Sequence, residues 1–313
     1  MSAPRVTVVM PCFNAASTVE ASIGSLQAQT VQDWALLVVD DGSTDDSVSR
    51  IRSIQDARIR LIQQPNAGVS AARNRALAEV STPFVAFLDA DDAWLPTALE
   101  RLLGALAASP DAVLAYSGWE DVYHPARQRR LHDPPDFEAA GAHKWALLLQ
   151  RCPWVIHAAI TRTEAIRDVG GFDRRFAIAE DFLLWLRVAA RGRIVKVPEP
   201  LALYHHDDSR PQATRNVLRV VRQTREAQSL FLSEQPRIAR TIGRAARRRI
   251  LFEQSRRCAY DAYWARQLPL AQALFKDCLA AGFYGAKDLK YLLPALLPAA
   301  VYQRLVRGRD AAG

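Results

Sequence analysis

Cysteine is scarce in this chain. Cys12, Cys152, Cys258 and Cys278 are spread over 313 residues, none forms a C-x-x-C pair, and the nearest two lie twenty positions apart. That spacing argues against a disulfide framework or a zinc site and favours a reducing compartment. Long apolar runs are missing too. No stretch reaches the roughly eighteen apolar residues of a spanning helix, and the opening "MSAPRVTVVMPCFN" lacks the apolar core of a signal peptide. The expectation is a cytoplasmic protein, with at most a surface attachment. Acidic residues are rare in the last third. Residues 210–313 hold 20 of the 41 Lys and Arg but 7 of the 33 Asp and Glu, which leaves residues 1–209 with 21 basic and 26 acidic side chains. A basic helical tail suits anionic lipid or nucleic acid, or is a solvated surface. Nucleic-acid binding through this tail is the alternative from a non-enzyme class, but few exposed-looking aromatic residues lie there for base stacking, and no nucleic-acid partner is expected.

What the chain does have, in its first half, is alternation. Apolar strands are predicted at Arg5–Pro11, Trp34–Asp40, Arg58–Gln64, Pro83–Asp89 and Ala112–Gly118. Amphipathic helices fall between them at Ala15–Gln29, Thr44–Gln55, Gly68–Val80 and Pro96–Ala108. Such β-α-β units build a parallel sheet, whose ligands bind beyond the carboxyl ends of the strands. Those ends are Pro11–Asn14, Asp40–Ser43 and Asp89–Asp92. Residues 119–142 read as a hairpin and loop, Trp154–Arg162 as a strand, and Glu180–Gly192 as a helix. From 210 onward the pattern is helical, with a hairpin turning near Gln267–Pro269. Ala271 and Phe275 there have the spacing of a tetratricopeptide-type unit, but one unit makes no solenoid, so they are read as packing.

Two acidic strand ends carry the chemistry. In "VVDDGSTDDS", Ser43 or Thr44 suits a helix N-cap, and Asp45 and Asp46 suit its positive end. Capping does not explain Asp40 and Asp41, because ionised carboxylates buried without partners cost several kcal/mol. In "FLDADDAW", Asp89 and Asp91 stand i, i+2 at the end of an apolar strand, with Asp92 behind. Paired loop carboxylates suit a hard divalent cation, Mg²⁺ or Mn²⁺, which takes one or two carboxylates together with phosphate oxygens and water. The competing reading is a strand-end turn with acidic helix-capping residues. A nucleotidyltransferase would need a glycine-rich, basic loop after the first strand, and "MPCFNAAST" is neither.

Taken in order, "VTVVMPCFNA", "VVDDGSTDDS", "NAGVSAARNRAL", "FLDADD", "GGFDRRF" and "AEDFLLWLRV" resemble the motifs of family 2 glycosyltransferases, over Arg5 to Ser209. The resemblance implies an α/β fold of the GT-A (Rossmann-like) type: a mixed, mainly parallel sheet in a catalytic domain of residues 1–209, followed by a basic helical C-terminal extension of residues 210–313. It implies inverting, metal-dependent transfer from a nucleotide-sugar, a UDP-sugar in the first place and a GDP- or dTDP-sugar otherwise. The acceptor implied is a hydroxyl of a glycan or lipid-linked molecule at the inner face of a bacterial cytoplasmic membrane. It also implies roles. Pro11 and Asn14 would lie beside the nucleotide base, Asp41 would accept from N3–H of uracil, and Asp40 would support that loop. Arg73 and Asn74 would lie near the ribose and diphosphate. Asp89 would reach the ribose or the metal shell, Asp91 would bind Mn²⁺ or Mg²⁺, and His206 would be a third ligand to metal or diphosphate. Asp181 would be the catalytic base with Glu180 in support, and Trp154, His157 and Trp185 lie where acceptor contacts or core are expected. Two motifs depart from the family pattern. Ala76 and Leu77 stand where a glycine often follows the "ARN" motif, and in "LYHHDDS" Tyr204 replaces an arginine while the spacing His206-x-x-Ser209 is kept.

Overall fold

The computed structural model describes residues 3–124, 126, 128–207 and 215–310, with side chains as far as Val306 in the last helix. Ser209, and the side chains of Arg307 and Arg309, lie outside the described residues. The chain divides into two compact units, one of Met1–Lys144 with Arg151–Pro211 and one of Trp145–Gln150 with Gln212–Gly313. A six-residue segment of the first half, Trp145–Gln150, thus groups with the second unit.

In the first unit, β-branched and apolar runs form β1 (Val6–Cys12), β2 (Trp34–Asp40), β3 (Ile59–Gln63) and β4 (Phe84–Phe87), which pair in parallel in the order β3-β2-β1-β4. Helices α1 (Val19–Gln27), α2 (Ser47–Ser53) and α3 (Val69–Leu77) are the crossovers. β1 and β2 are buried along almost their whole length, as strands covered on both faces must be. After β4 come a short β5 (Ala93–Trp94) and α4 (Ala98–Ala108), whose Leu99, Leu102, Leu103 and Leu106 are buried at the spacing of one helical face. Each such leucine contributes about 1.5–3 kcal/mol of burial.

The rest of the sheet is mixed. β6 (Ala112–His124) runs well past the predicted end at Gly118 and turns into β7 (Gln128–His132), the expected hairpin. Past α5 (Lys144–Leu148), the predicted strand at Trp154–Arg162 is a single turn of 3₁₀ helix at Ile156–Ala158 followed by β8 (Ala159–Arg162), antiparallel to both β4 and β6. Then come α6 (Thr163–Asp168), α7 (Glu180–Ala189) and β9 (Arg193–Asp207), which lies parallel to β6 and antiparallel to β5. β8 therefore joins two parallel blocks into one sheet. α7 is buried almost all round, from Phe182 through Leu186, so it is an inner helix.

The second unit is helical: α8 (Val217–Glu234), α9 (Pro236–Ile242), α10 (Arg244–Trp264), α11 (Leu268–Ala280), α12 (Leu289–Leu292) and α13 (Ala299–Asp310). Trp145 packs on Phe231 with ring centroids 5.5 Å apart, and Gln228 donates to the Leu149 carbonyl at 2.6 Å. The predicted hairpin is α10–α11, and Ala271 and Phe275 are buried in its core. The leucine-rich tail divides. Leu292, Ala295, Tyr302 and Val306 join that core, whereas Leu293, Leu296, Val301 and Leu305 stay exposed.

Candidate active site

Parallel pairing brings the predicted strand ends to one edge. Cys12 stands opposite Asp40 in the register, the Asp41 amide donates to the Cys12 carbonyl at 2.8 Å, and the Leu88 amide donates to the Val9 carbonyl at 3.0 Å. Beyond β1, Asn14 adopts a left-handed φ of 49°, a conformation asparagine tolerates better than most residues. Its Oδ1 accepts from the Thr44 amide at 2.8 Å, and its own amide donates to Ser43 Oγ at 3.0 Å. The first two strand ends are thereby laced together, and Pro11 lies half-buried between them.

Asp40 and Asp41 are both buried, 2% and 4% exposed. Asp40 accepts from the Ser43 amide at 3.2 Å, which makes it a loop support. Asp41 Oδ1 accepts from Gln64 Nε2 at 2.7 Å and the Ala67 amide at 2.9 Å, and Oδ2 from the Gly68 amide at 2.8 Å. Three donors answer the question of how this carboxylate is buried. Gly42 sits between them at φ +78°, and a Cβ there would come within 2.9 Å of the Asn66 amide nitrogen. An open cleft of about 520 Å³ lies next to this turn, lined by Gln64, Asn66, Asn74, Arg75 and Arg174 among others. Its lining includes none of the carboxylates.

Arg73 is the organiser of the acidic edge. It is 3% exposed, donates to both oxygens of Asp89 at 2.7 and 3.0 Å, and donates to Glu180 Oε1 at 2.9 Å. Burial works against its charge, but Asp89 and Glu180, with Asp181 further off, outweigh that and hold the proton on. One cation thus joins α3, the end of β4 and the start of α7. Asn74 next to it clamps the "GGFDRRF" loop, donating to the Phe172 carbonyl and accepting from the Phe172 amide, both at 2.8 Å. Gly171, at φ +72°, leaves room for that amide, since a Cβ would stand 2.6 Å from Asn74 Oδ1.

Asp181 lies at the first turn of α7, whose N-cap Ala179 has a left-handed φ of 66°. Non-glycine residues are held there only when the surroundings over-determine the backbone. The Phe182 amide donates to Asp181 Oδ1 at 2.7 Å, and the Cys152 thiol lies 3.6 Å from Oδ2. Burial, then the neighbouring Glu180 charge, push the Asp181 carboxyl up to about 7, against the pull of Arg73.

Asp92 was read from sequence only as a residue behind the Asp89–Asp91 pair. It is 1% exposed, and Oδ1 accepts from the His205 amide at 2.8 Å. Burial, then Asp91 and Asp89, push its carboxyl well above the usual range. Oδ2 stands 3.2 Å from Nδ1 of His157, which is fully buried and pulled down to about 4 by that burial. His157 Nε2 lies 3.1 Å from the Leu203 carbonyl. The consistent protonation is a neutral imidazole donating from Nε2 to Leu203, with the Asp92 carboxyl donating to Nδ1. His157 is therefore a core residue and not a sugar contact.

For Trp154 and Trp185, burial favours the core of the two readings left open. Each is 1% exposed. Trp154 stacks on Tyr116 at 4.4 Å, and the two indoles are 5.9 Å apart, with Trp185 also 6.2 Å from Phe87. At that burial neither indole offers a face to a ligand. His206 also has neighbours other than those expected. It stacks on Tyr123 at 4.6 Å and lies 3.3 Å from Asp121, whereas His205, which sequence reasoning passed over, has Nδ1 2.9 Å from the Asp91 carbonyl. The doubled His in "LYHHDDS" was the available signal, and the alternation of a strand decides which histidine faces which way.

The acidic edge fits a hard cation. Its donors are all carboxylate oxygens, and Arg73 is the cation seen to neutralise Asp89 and Glu180. Among the described residues no group of three or more His, Cys, Asp or Glu could hold a metal by itself.

The profile of Glycosyl transferase family 2 matches residues 7–168. The UDP-Glc:alpha-D-GlcNAc-diphosphoundecaprenol beta-1,3-glucosyltransferase WfgD of Escherichia coli is 31% identical over 191 residues, 60% of this chain and 71% of that protein. The pre-mycofactocin glycosyltransferase of Mycobacterium tuberculosis is 37% identical over 212 residues, but these are only 42% of its length. Among solved structures, S. aureus TarS 1–349 in complex with UDP-GlcNAc superposes with a TM-score of 0.66 at 17% identity, over 98% of this chain and 92% of that one. The mannosyltransferase PcManGT of Pyrobaculum calidifontis, in complex with GDP-Man and Mn²⁺, gives 0.55 at 21% identity, over 98% and 85%. At these identities both likenesses speak for the fold.

Proposed function

The chain belongs to glycosyl transferase family 2, and from that premise we propose that it moves a glycosyl group from a UDP-sugar to a hydroxyl of a glycan or lipid-linked acceptor, with inversion. The geometry that carries the reading is Asp181: a half-buried carboxylate in the first turn of α7, next to Glu180, which Arg73 bonds together with the Asp89 strand end, and raised above the usual carboxylate range by burial and the Glu180 charge. A general base works best when its pKa lies near the working pH. Asp181 would take the proton of the acceptor hydroxyl as that oxygen bonds to the anomeric carbon, while the bond to the nucleoside diphosphate breaks on the opposite face. The Phe182 amide holds Asp181 in place, and Arg73 bonds the neighbouring Glu180. Asp41 keeps one of its roughly four lone-pair positions for the base N3–H, since three are taken by protein donors. Asp89 and Asp91 would hold Mn²⁺ or Mg²⁺, which when bound neutralises charge on the departing diphosphate.

The donor preference is supported by the UDP-sugars named for the E. coli and S. aureus proteins, and the GDP-Man of the archaeal one is the competing choice. The test is a panel of UDP-, GDP- and dTDP-sugars with and without Mn²⁺, scored for nucleotide release. Release from a UDP-sugar is expected, lost in chelator and restored by Mn²⁺. Asp91→Ala should behave like chelator while melting as the parent does. Asp181→Asn should lower turnover by about 10²–10⁴-fold yet still bind UDP in calorimetry. Release confined to GDP- or dTDP-sugars would overturn the donor assignment, and full turnover in Asp181→Asn would overturn the base.

No described helix is long and apolar enough to cross a membrane. The exposed leucines of the basic second unit support a peripheral contact with an anionic bilayer, where a lipid-linked acceptor would be met.

A further inference from the structure

We propose that the face of β6, β7 and β9 carrying Trp119, Tyr123, His132 and His206 around Asp121 is the acceptor-sugar subsite, a stacking platform for a pyranose ring. The inference rests on the glycosyl-transfer reading above and adds where the acceptor lies.

The register builds the platform. Trp119 stands opposite His132, and Tyr123 opposite His206. Partners on neighbouring strands project from the same face. The indole of Trp119 stacks on His132 at 4.7 Å and 4°, and Tyr123 stacks on His206 at 4.6 Å and 10°. Between the two stacks lies Asp121, 8% exposed. Its carboxylate accepts from Trp119 Nε1 at 3.2 Å and from the Tyr123 hydroxyl at 3.3 Å, and it lies 2.7 Å from His132 Nε2 and 3.3 Å from His206 Nε2. All four rings turn a polar edge to one buried anion. A packing cluster has no need of such a group, because a buried carboxylate is costly unless its oxygens are answered. Here it orients half-buried rings on the sheet.

Position argues for an acceptor. Tyr204, opposite Asp121 in the register, meets His206 edge-on at 4.6 Å. Its ring is also 6.2 Å from His157, which sits against Asp92. After burial, the charges that act on its hydroxyl are those of Asp92, Asp89, Asp91 and Asp181. The aromatic row therefore begins near Asp92 at the acidic strand end and lies on the other block of the sheet from the Asp41 turn. A pyranose presents C–H groups on its faces and hydroxyls on its rim. With their polar edges turned to Asp121, these half-buried rings leave apolar faces that match the C–H groups.

The test uses the full-length protein, saturated with UDP and Mn²⁺, and a panel of methyl pyranosides (gluco, galacto, manno, rhamno and N-acetylgluco) in saturation-transfer NMR. At least one is expected to receive saturation on its ring protons. Trp119→Ala and Tyr123→Ala should each weaken that signal about tenfold or more, with UDP affinity unchanged. Trp119→Phe, which keeps a ring but loses the bond to Asp121, should recover much of it and guards against a misfolded alanine variant. Undiminished pyranoside binding in both alanine variants, or no pyranoside bound by a protein that binds UDP, would overturn the platform. Failure of the parent protein to bind any nucleotide or release it from a nucleotide-sugar would instead strike at the glycosyl-transfer reading.

Discussion

Burial and Glu180 pull the Asp181 carboxyl in one direction, and Arg73 pulls it in the other. The balance sets a pH profile. The base must be ionised to accept a proton, so kcat/KM should climb about tenfold per pH unit below pH 7 and level off above it. Arg73→Gln removes the opposing charge and should move that limb to higher pH in whatever activity remains. Stability follows with its own sign. The folded value, about 7, lies above the unfolded value of about 4, so the folded chain binds the extra proton between them. This contribution is whole below pH 4 and is lost as the pH rises through 7. In Asp181→Asn, thermal melts between pH 4 and 7 should lack that decline. An unchanged decline would assign it to another group. Arg73→Gln should also cost about 3–5 kcal/mol of stability, because it leaves two carboxylates at a buried cation site unpaired. A midpoint in urea like that of the parent would show Arg73 to be dispensable to the fold.

Elements differ in how far their residues announce them. β1, β2 and β4, with the helices between them, were legible because buried parallel strands are apolar runs and their crossovers carry a clean helical period. The end of each strand was legible to within two residues, which is why Asp40, Asp41, Asp89 and Asp91 could be grouped in advance. β9 was not. Its sequence includes Pro198 and Pro200 and ends in charged and histidine residues, and proline argues against a strand interior. The structure accommodates it with shifts of register opposite Ser117 and Gly118. Missing β9 meant missing what it positions: His205 at Asp91, and Tyr204 and His206 beside β6. For Trp154, His157 and Trp185 the sequence left acceptor contact and core both open, since an aromatic residue looks the same in sequence whether it faces a ligand or a core. The clamp between α3 and the loop at Phe172 offers a test of element coupling. Asn74→Ala removes both of its bonds, and Gly171→Ala places a Cβ against the same amide. Each alone should lower stability by about 1–3 kcal/mol, and the double variant should lose clearly less than the sum, because both act on one contact. Strict additivity in urea denaturation would mean that the two residues act independently.

The molecule as a whole is divided by charge as well as by fold, with the basic residues concentrated from 210 onward. The structure changes how that asymmetry can be tested. Removing the tail after Lys287 would strip Leu292, Ala295, Tyr302 and Val306 from the helical core, together with the bond from the Tyr260 hydroxyl to Asp288. A truncated chain would then fail for reasons of packing. The exposed residues are the better target, because Leu293, Leu296, Val301 and Leu305 are 37–58% exposed, with Lys290 and Arg304 close in sequence. Apolar side chains set among cations are the composition of a surface that rests in the headgroup layer of an anionic bilayer. Co-sedimentation with phosphatidylglycerol vesicles should retain the full chain at low salt and release much of it at high salt, since screening weakens exposed charges. Phosphatidylcholine vesicles should retain little. Leu293→Ser combined with Leu296→Ser should cut retention while leaving the melting temperature within a few degrees, as neither residue is buried. Lys290→Glu combined with Arg304→Glu should do the same and flatten the salt dependence. Equal retention of all three proteins on both lipids would detach the exposed leucines from any membrane role and leave the basic unit as a solvated surface.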